Sequence, residues 1–300
     1  MYEVGVLGVG GVGGCVAAVL AQRGVHVTCV GRRPTVEALR TQGLRLDSDT
    51  FGSFTVWPAA TERLDRAVDV LIVATKATAL PAALATLDPS LVADGVVIPL
   101  LNGLEHVAQI RARVGPRVAP GSIRIEARAT APGHVVHTSP FVIITIASDR
   151  DVPPPRLADI AAFLSGGGLD TRIGASEAEV LWEKLARLAA LACTTALSNQ
   201  PIGVIRTDPH WRALLMGAVQ DGVAVANACG VPMTVEAQLR VIDGLPQTLT
   251  TSLQRDIAAH RPSELDAIAG AVVRAGRAHG LACPTLAELI RRIETERVHA

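Results

Sequence analysis

The chain reads as an α/β protein: an N-terminal Rossmann-type, doubly wound sheet followed by an all-α C-terminal domain. Three observations predict this. Residues 4–33 hold a strand, a glycine-rich turn, a helix and a second strand. Fully apolar runs then alternate with helical stretches to about residue 101, the order of a parallel α/β sheet. Beyond Gly174 the apolar residues recur at helical spacing. The expected boundary assigns residues 1–174 to the first domain and 175–300 to the second.

Val4–Leu7 is an unbroken apolar run, as in a strand buried on both faces of a parallel sheet. Gly8, Gly10 and Gly13 follow at the spacing G-x-G-x-x-G, with Val9, Gly11 and Val12 between them. Cys15–Arg23 continues as a helix that Gly24 ends, and Val25–Val30 is the next strand. In that context a weak glycine pattern becomes a dinucleotide fingerprint. Gly8 permits the tight turn, Gly10 the close approach of a pyrophosphate, and Gly13 the close packing of helix on strand. Amides at the helix start point at the phosphates. The competing reading, a glycine-rich turn without a ligand, leaves the complete strand–turn–helix–strand unit without a purpose. The second strand ends in Gly31-Arg32-Arg33, with no acid to hold a ribose 2′-hydroxyl. A guanidinium there suits a 2′-phosphate, so NADPH is expected over NADH, with Arg32 as the nearer ligand. Two ordinary surface arginines are the alternative.

Pro34–Gly43 predicts a short helix, 44–57 alternating strand material, and 69–74 the next apolar strand, followed by Thr75-Lys76. Residues 80–87 predict a helix, and Gly95–Leu101 a buried strand ending in Asn102-Gly103. Ligands of such sheets sit beyond the carboxyl ends of the strands, so Gly8, Lys76 and Asn102 are expected to line one crevice. Residues 118–129 and 134–147 read as two strands joined by a turn at Ala131-Pro132-Gly133. A helix over 156–165 and a short run over 169–173 close the domain. Next comes a helix over 176–197. Asp208-Pro209 has the form of an N-cap with proline at the first helical position, and Gly230 is the stop. Ser263 opens a further helix with Asp266 as a capping-box acid, Gly280 ends it, and Pro284 begins the last.

Of 300 residues, 49% are hydrophobic and 19% charged, enough to bury a sizeable core. The net charge is zero and no basic stripe occurs, so nucleic acid is not an expected partner. Five scattered cysteines without a C-x-x-C argue against disulfides and zinc, and for a reducing cytoplasm. Neither a signal peptide nor a membrane span is expected. His134 and His137, three apart on an alternating strand, project to opposite faces, so no metal is expected. The apolar late helices can supply the domain core or a homodimer interface.

A reduced nicotinamide needs a proton source beside the carbonyl or imine it reduces. The chain has only two lysines, Lys76 and Lys184, among 28 Lys and Arg residues. Lys184 stands in Leu181-Trp-Glu-Lys-Leu185 on an otherwise apolar helix, as a proton donor or as a solvent-facing residue.

Six segments carry a resemblance. They are the opening GVLGVGGVGG, Ala74-Thr-Lys-Ala77, Leu101-Asn-Gly103, Leu181-Trp-Glu-Lys-Leu185, Ser252–Asp256, and Arg261-Pro-Ser-Glu-Leu-Asp-Ala-Ile268 running on through Gly270 to Arg274. Through them the chain resembles the ketopantoate reductase family nearly end to end. The resemblance implies reduction of a small carbonyl substrate, a 2-oxo acid, by NADPH. It implies that Gly8 to Gly13 hold the pyrophosphate and Arg32 the 2′-phosphate. Lys76 and Asn102 contact the cofactor on its nicotinamide side, Ala127 offers it a backbone amide, and Asn102 also reaches the substrate. Lys184 donates the proton, Ser252 bonds the substrate carboxylate, and Glu264 lies beside the cofactor or substrate hydroxyl. A helix-surface hydroxyl and a first-turn acid are the plainer readings of the last two.

The chain also departs from the family pattern. Asparagines stand four and eight residues after the family's lysine, on the same helical face; here those substrate-side positions are Leu188 and Ala192. Ile202 replaces the asparagine of a Pro-Asn-Gly, and Ala269 replaces another. The implied pocket is more apolar, and its acceptor is 2-dehydropantoate or a larger, less polar analogue. Drift compensated by neighbours such as Asn199 is one alternative. A distinct carbonyl or imine substrate, or a catalytically silent NADP(H)-binding sensor, are others.

Overall fold

Five parallel strands form the principal sheet of the computed structural model, which describes residues 2–299. In chain order they are β1 (Glu3–Leu7), β2 (His26–Val30), β5 (Ala59–Thr61), β6 (Val70–Val73) and β7 (Val96–Pro99). In space they run β5-β2-β1-β6-β7, so the order reverses between β1 and β6. That reversal is the switch point at which doubly wound sheets bind ligands. All four residues of β6 and of β7 are buried, which is why these strands read as unbroken apolar runs.

Helices α1 (Gly11–Gln22), α2 (Arg33–Gln42), α3 (Leu80–Ala85) and α4 (His106–Val114) alternate with these strands or follow them, and α5 (Pro154–Gly166) packs against the later strand Asp170–Ile173. In α1 every residue from Gly13 to Leu20 is buried. It can be apolar all round because β1 and β2 cover one side while a second sheet covers another. That second sheet runs β4 (Gly52–Val56), β3 (Leu44–Ser48), β10 (His134–His137), β9 (Ala127–Ala131). Helix α4, with Val107, Ile110 and Val114 buried at helical spacing, and the three-residue β5 add to the elements expected.

The stretch 118–147 differs from its reading as two strands. It forms four, and they divide between two sheets: β9 and β10 pair in the second, while β8 (Gly121–Arg124) and β11 (Ile143–Ile146) pair in a third with β12 (Asp170–Ile173). The break is made by hydrogen bonds that no alternation pattern encodes. Ser139 Oγ accepts from Glu126 N at 2.9 Å and Thr138 N donates to Glu126 O at 3.0 Å. Pro140 follows without a ladder donor, which stops the pairing.

Helix α6 (Glu177–Ser198) begins the helical region, followed by α7 (Ile202–Thr207), α8 (Pro209–Ala228), α9 (Val235–Asp243), α10 (Ser252–Ala258), α11 (Ala271–Ala278) and α12 (Pro284–His299). Gly222 allows α8 to cross α6 closely; a Cβ there would stand 2.7 Å from the Ala186 carbonyl. Asp208 caps α8 as expected, accepting from His210 N and Trp211 N at 2.9 and 3.0 Å. The helix opened by Ser263 departs from expectation. It enters as a π-helical turn, Asp266–Gly270, and the Asp266 carboxylate is taken by Arg274. Residues up to Leu101 with His106–Val180 form one compact unit; Asn102–Glu105 with the residues from Leu181 on form the other. Among the described residues, no helix is long and apolar enough to cross a membrane.

Candidate active site

Most of the residues singled out fall into two groups, one in each unit. In the first unit, Gly8 follows β1 with φ +97, and its amide donates to the Val30 carbonyl at 2.9 Å. A Cβ on Gly8 would stand 2.7 Å from Thr75 N, and one on Gly13 would stand 2.1 Å from the Gly8 carbonyl. Gly11 packs against the Ala127 carbonyl, 2.4 Å from where its Cβ would be, which brings Ala127 to the turn. Gly10 is different: nothing lies within 4 Å of its Cβ position. It is the N-cap of α1, provides no side-chain cap, and no acid stands in the first turn. Space is therefore open beside Gly10 at the start of the helix, where the positive end of the macrodipole lies, and this fits an anionic diphosphate. Val9 and Val12 pack against the core of this unit.

Arg32 is the exposed N-cap residue of α2, just past β2. Its neighbour Arg33 is already engaged, with Nε 2.8 Å from Glu37 Oε1. Lys76 is exposed and precedes a single turn of 3₁₀-helix.

In the second unit the structure brings Lys184, Asn102 and Glu264 together. Lys184 Nζ donates to Asn102 Oδ1 at 2.9 Å, and Asn102 Nδ2 donates to Glu264 Oε2 at 3.2 Å. The two bonds fix the amide's orientation, because an ammonium only donates and a carboxylate only accepts. Withdrawal from water lowers the Lys184 pKa to about 8; the Glu264 charge opposes that shift and the Arg187 charge adds to it. Arg187 was not singled out by the sequence, although it lies one helical step from Lys184. Its Nη1 donates to the Glu183 carbonyl and, at 3.2 Å, to the buried Gln238 Oε1.

Four and eight residues after Lys184, the same face of α6 carries half-buried Leu188 and buried Ala192. Ile202 and Ala269 are fully buried, so the positions of the family's other asparagines are closed by hydrocarbon. Further along α6, the Thr195 hydroxyl is occupied by the Leu191 carbonyl at 2.7 Å and Thr251 Oγ1 at 2.8 Å. Ser252, exposed at the start of α10, lies outside the hydrogen-bonded set of Lys184, Asn102 and Glu264.

Residues 4–149 match the family described as Ketopantoate reductase PanE/ApbA, and residues 178–296 match Ketopantoate reductase PanE/ApbA C terminal. The 2-dehydropantoate 2-reductase of Halobacterium salinarum is 30% identical over 308 residues, covering 96% of this chain and 98% of that protein. A PanE/ApbA family ketopantoate reductase from Ralstonia eutropha has a similar structure, with a TM-score of 0.86 at 27% identity over 99% of this chain and 100% of that one. D-mandelate dehydrogenase, solved with NADH and anilino(oxo)acetate, shares the fold, with a TM-score of 0.89 at 19% identity over 99% of each chain. With both halves matched and a relative similar from end to end, the chain belongs to the ketopantoate reductase family of oxidoreductases.

Proposed function

We propose that this protein is an NADPH-dependent reductase of a 2-oxo acid, with Lys184 as the proton donor and with 2-dehydropantoate or a larger, less polar analogue as the acceptor. The observation that carries the reading is the Lys184–Asn102–Glu264 chain of hydrogen bonds around an ammonium whose pKa is about 8. Such a group is mostly charged at neutral pH, yet yields its proton more readily than a lysine at its ordinary value of 10.5.

The dinucleotide's place is the turn Gly8–Gly13, with the α1 amides on its pyrophosphate, Arg32 on its 2′-phosphate, and Lys76 and Ala127 as further contacts. When bound, NADPH supplies the hydride. The chain's own residues do the rest. The Lys184 ammonium attracts the negative charge that develops on the carbonyl oxygen, and then delivers its proton from Nζ to that oxygen. Asn102 keeps the ammonium aimed, and Glu264 keeps the Asn102 carbonyl turned towards it. Ser252 is a donor for the substrate carboxylate. Leu188 and Ala192, beside Lys184 on its own helix, offer hydrocarbon to the acceptor's side chain.

Steady-state NADPH oxidation over a panel of 2-oxo acids, with wild type and Lys184→Ala side by side, tests this. Wild type is expected to prefer acids with apolar side chains, and its kcat to fall as pH rises through about 8. The variant should lose roughly 10²–10⁴-fold in kcat. Unchanged turnover in the variant would take the proton donor's role from Lys184, and no turnover in either protein would leave a nucleotide-binding sensor instead. Ketopantoate as the best acceptor would remove the preference for apolar side chains.

A further inference from the structure

The π-helical turn Asp266–Gly270 starts two residues after Glu264, and turns of this kind concentrate at functional sites. Close packing and one guanidinium hold it against the segment that carries Asn102. Gly103, at φ +95, lets that segment lie directly on the turn: a Cβ there would stand 2.3 Å from the Ala267 carbonyl. Arg274 then joins the two. Its Nε and Nη2 donate to Glu105 Oε1 and Oε2 at 2.7 and 2.9 Å, a fork-on-fork pair. Its Nη1 donates to Asp266 Oδ1 at 2.5 Å, and its Nη2 to the Asp266 carbonyl at 3.1 Å. A Cβ on Gly270 would stand 2.6 Å from Asp266 Oδ1 and 3.0 Å from Arg274 Nη1, so glycine leaves the room this arrangement needs.

Glu105 lies three residues beyond Asn102, and Asp266 two beyond Glu264. The 3.2 Å bond between Asn102 and Glu264 therefore spans the same two segments that Arg274 ties together. We infer that Arg274 is a positioning residue for the reaction: by clamping Glu105 to Asp266 it holds Asn102 and Glu264 in register, and so keeps the Lys184 ammonium aimed. This rests on the reading of Lys184 as proton donor.

Stability does not account for the clamp. The side chains of Arg274, Glu105 and Asp266 are 41%, 50% and 84% exposed, and ion pairs this open contribute little to folding. Geometry does. A displacement of about 1 Å at a reacting group can cost roughly a hundredfold in rate, far more than the pair adds to stability.

The experiment compares Arg274→Gln, Arg274→Lys and Glu105→Gln with wild type and Lys184→Ala, all in the full chain. It reads kcat, KM for NADPH, the alkaline limb of the pH profile, and the thermal midpoint. Arg274→Gln and Glu105→Gln should each lower kcat about tenfold or more and leave KM for NADPH within about twofold. The alkaline limb should move from its wild-type position, because an unanchored Asn102 and Glu264 no longer set the Lys184 environment. The thermal midpoint should hardly change, and Arg274→Lys should restore part of kcat. If Arg274→Gln does not fold, Glu105→Gln, which removes one charge at constant shape, carries the test alone. An unmoved alkaline limb overturns the inference, whether kcat is unchanged or falls together with the thermal midpoint. Should that happen while Lys184→Ala is inactive, the role of Lys184 stands and only the clamp fails. Full turnover by Lys184→Ala would remove both.

Discussion

The β1–α1 turn and the Lys184 cluster are both proposed to hold charge, and they are built from different materials. In the turn, glycines within six residues do it with backbone: Gly8 and Gly13 touch, Gly11 meets the Ala127 carbonyl, and Gly10 faces open space. Around Lys184, side chains do it across long separations. Asn102 lies 82 residues from Lys184 and 162 from Glu264. The two should therefore fail in different ways. At Gly8, Gly11 and Gly13 the turn is intolerant of any added atom, because the partners there include backbone that cannot rotate aside. The cluster is intolerant of lost direction, because a buried ammonium without its acceptor is costly to keep charged.

The largest separation of the two comes from Gly13→Ala. The new methyl would lie 2.1 Å from the Gly8 carbonyl, forcing α1 away from β1. Affinity for NADPH, measured by direct titration, should fall about a hundredfold. At saturating NADPH the alkaline limb should remain near 8, since nothing around Lys184 has changed. A limb that moved with the affinity would mean that the turn and the cluster are not built independently.

Arg32 is the exception inside the first region, a side chain at a site otherwise made of backbone. Arg32→Ala should lower kcat/KM for NADPH about tenfold and leave NADH within roughly threefold, the loss of one charge-assisted pair to a phosphate. Equal losses with both cofactors would return Arg32 to the status of a surface residue. The larger share would then fall to Arg33, which would have to leave Glu37.

The same contrast governs what can be read from sequence. The turn was legible because each glycine acts on residues a few places away, or on the strand end next to it, and the flanking strands are apolar for their whole length. The cluster was legible in two residues, but not as a cluster. Lysine is scarce enough in this chain to draw notice to Lys184, and Asn102 stands just past a strand end, where ligands of such sheets sit. Glu264 emerged through resemblance, and no local rule makes a strand end meet a distant helix. Glu105 and Arg274, 169 residues apart, left no signal that pairs them. Residues 118–147 fail for a related reason. Apolar alternation runs on through Ile125, and what ends the strand is the hydroxyl of Ser139, which takes the amide of Glu126 from thirteen residues further on.

His137 supplies the smallest expected effect, and it separates side chains gathered for chemistry from side chains gathered for folding. The residue is 1% exposed. Nδ1 lies 2.8 Å from Ser48 Oγ, and Nε2 lies 2.9 Å from Ser139 Oγ and 3.3 Å from the Phe141 carbonyl. Like the Lys184 cluster it joins distant segments, Ser48 being 89 residues away, but all its partners are neutral. Burial is the leading influence and pushes the imidazole below its ordinary 6.5; the Phe141 carbonyl, Asp49 and Glu126 pull the other way. The unfolded chain therefore takes up this proton at a higher pH than the folded one. Between the two values stability falls as pH falls, and above 6.5 this contribution is fully present. The thermal midpoint of wild type should drop by about a few degrees as pH goes below 6.5. His137→Asn should start lower at neutral pH, having lost buried hydrogen bonds, and then lack that slope. Parallel curves for the two proteins would trace the acid sensitivity to the carboxylates. In either case kcat at neutral pH should be unchanged in the variant, which is what distinguishes this buried polar set from the one that holds Lys184.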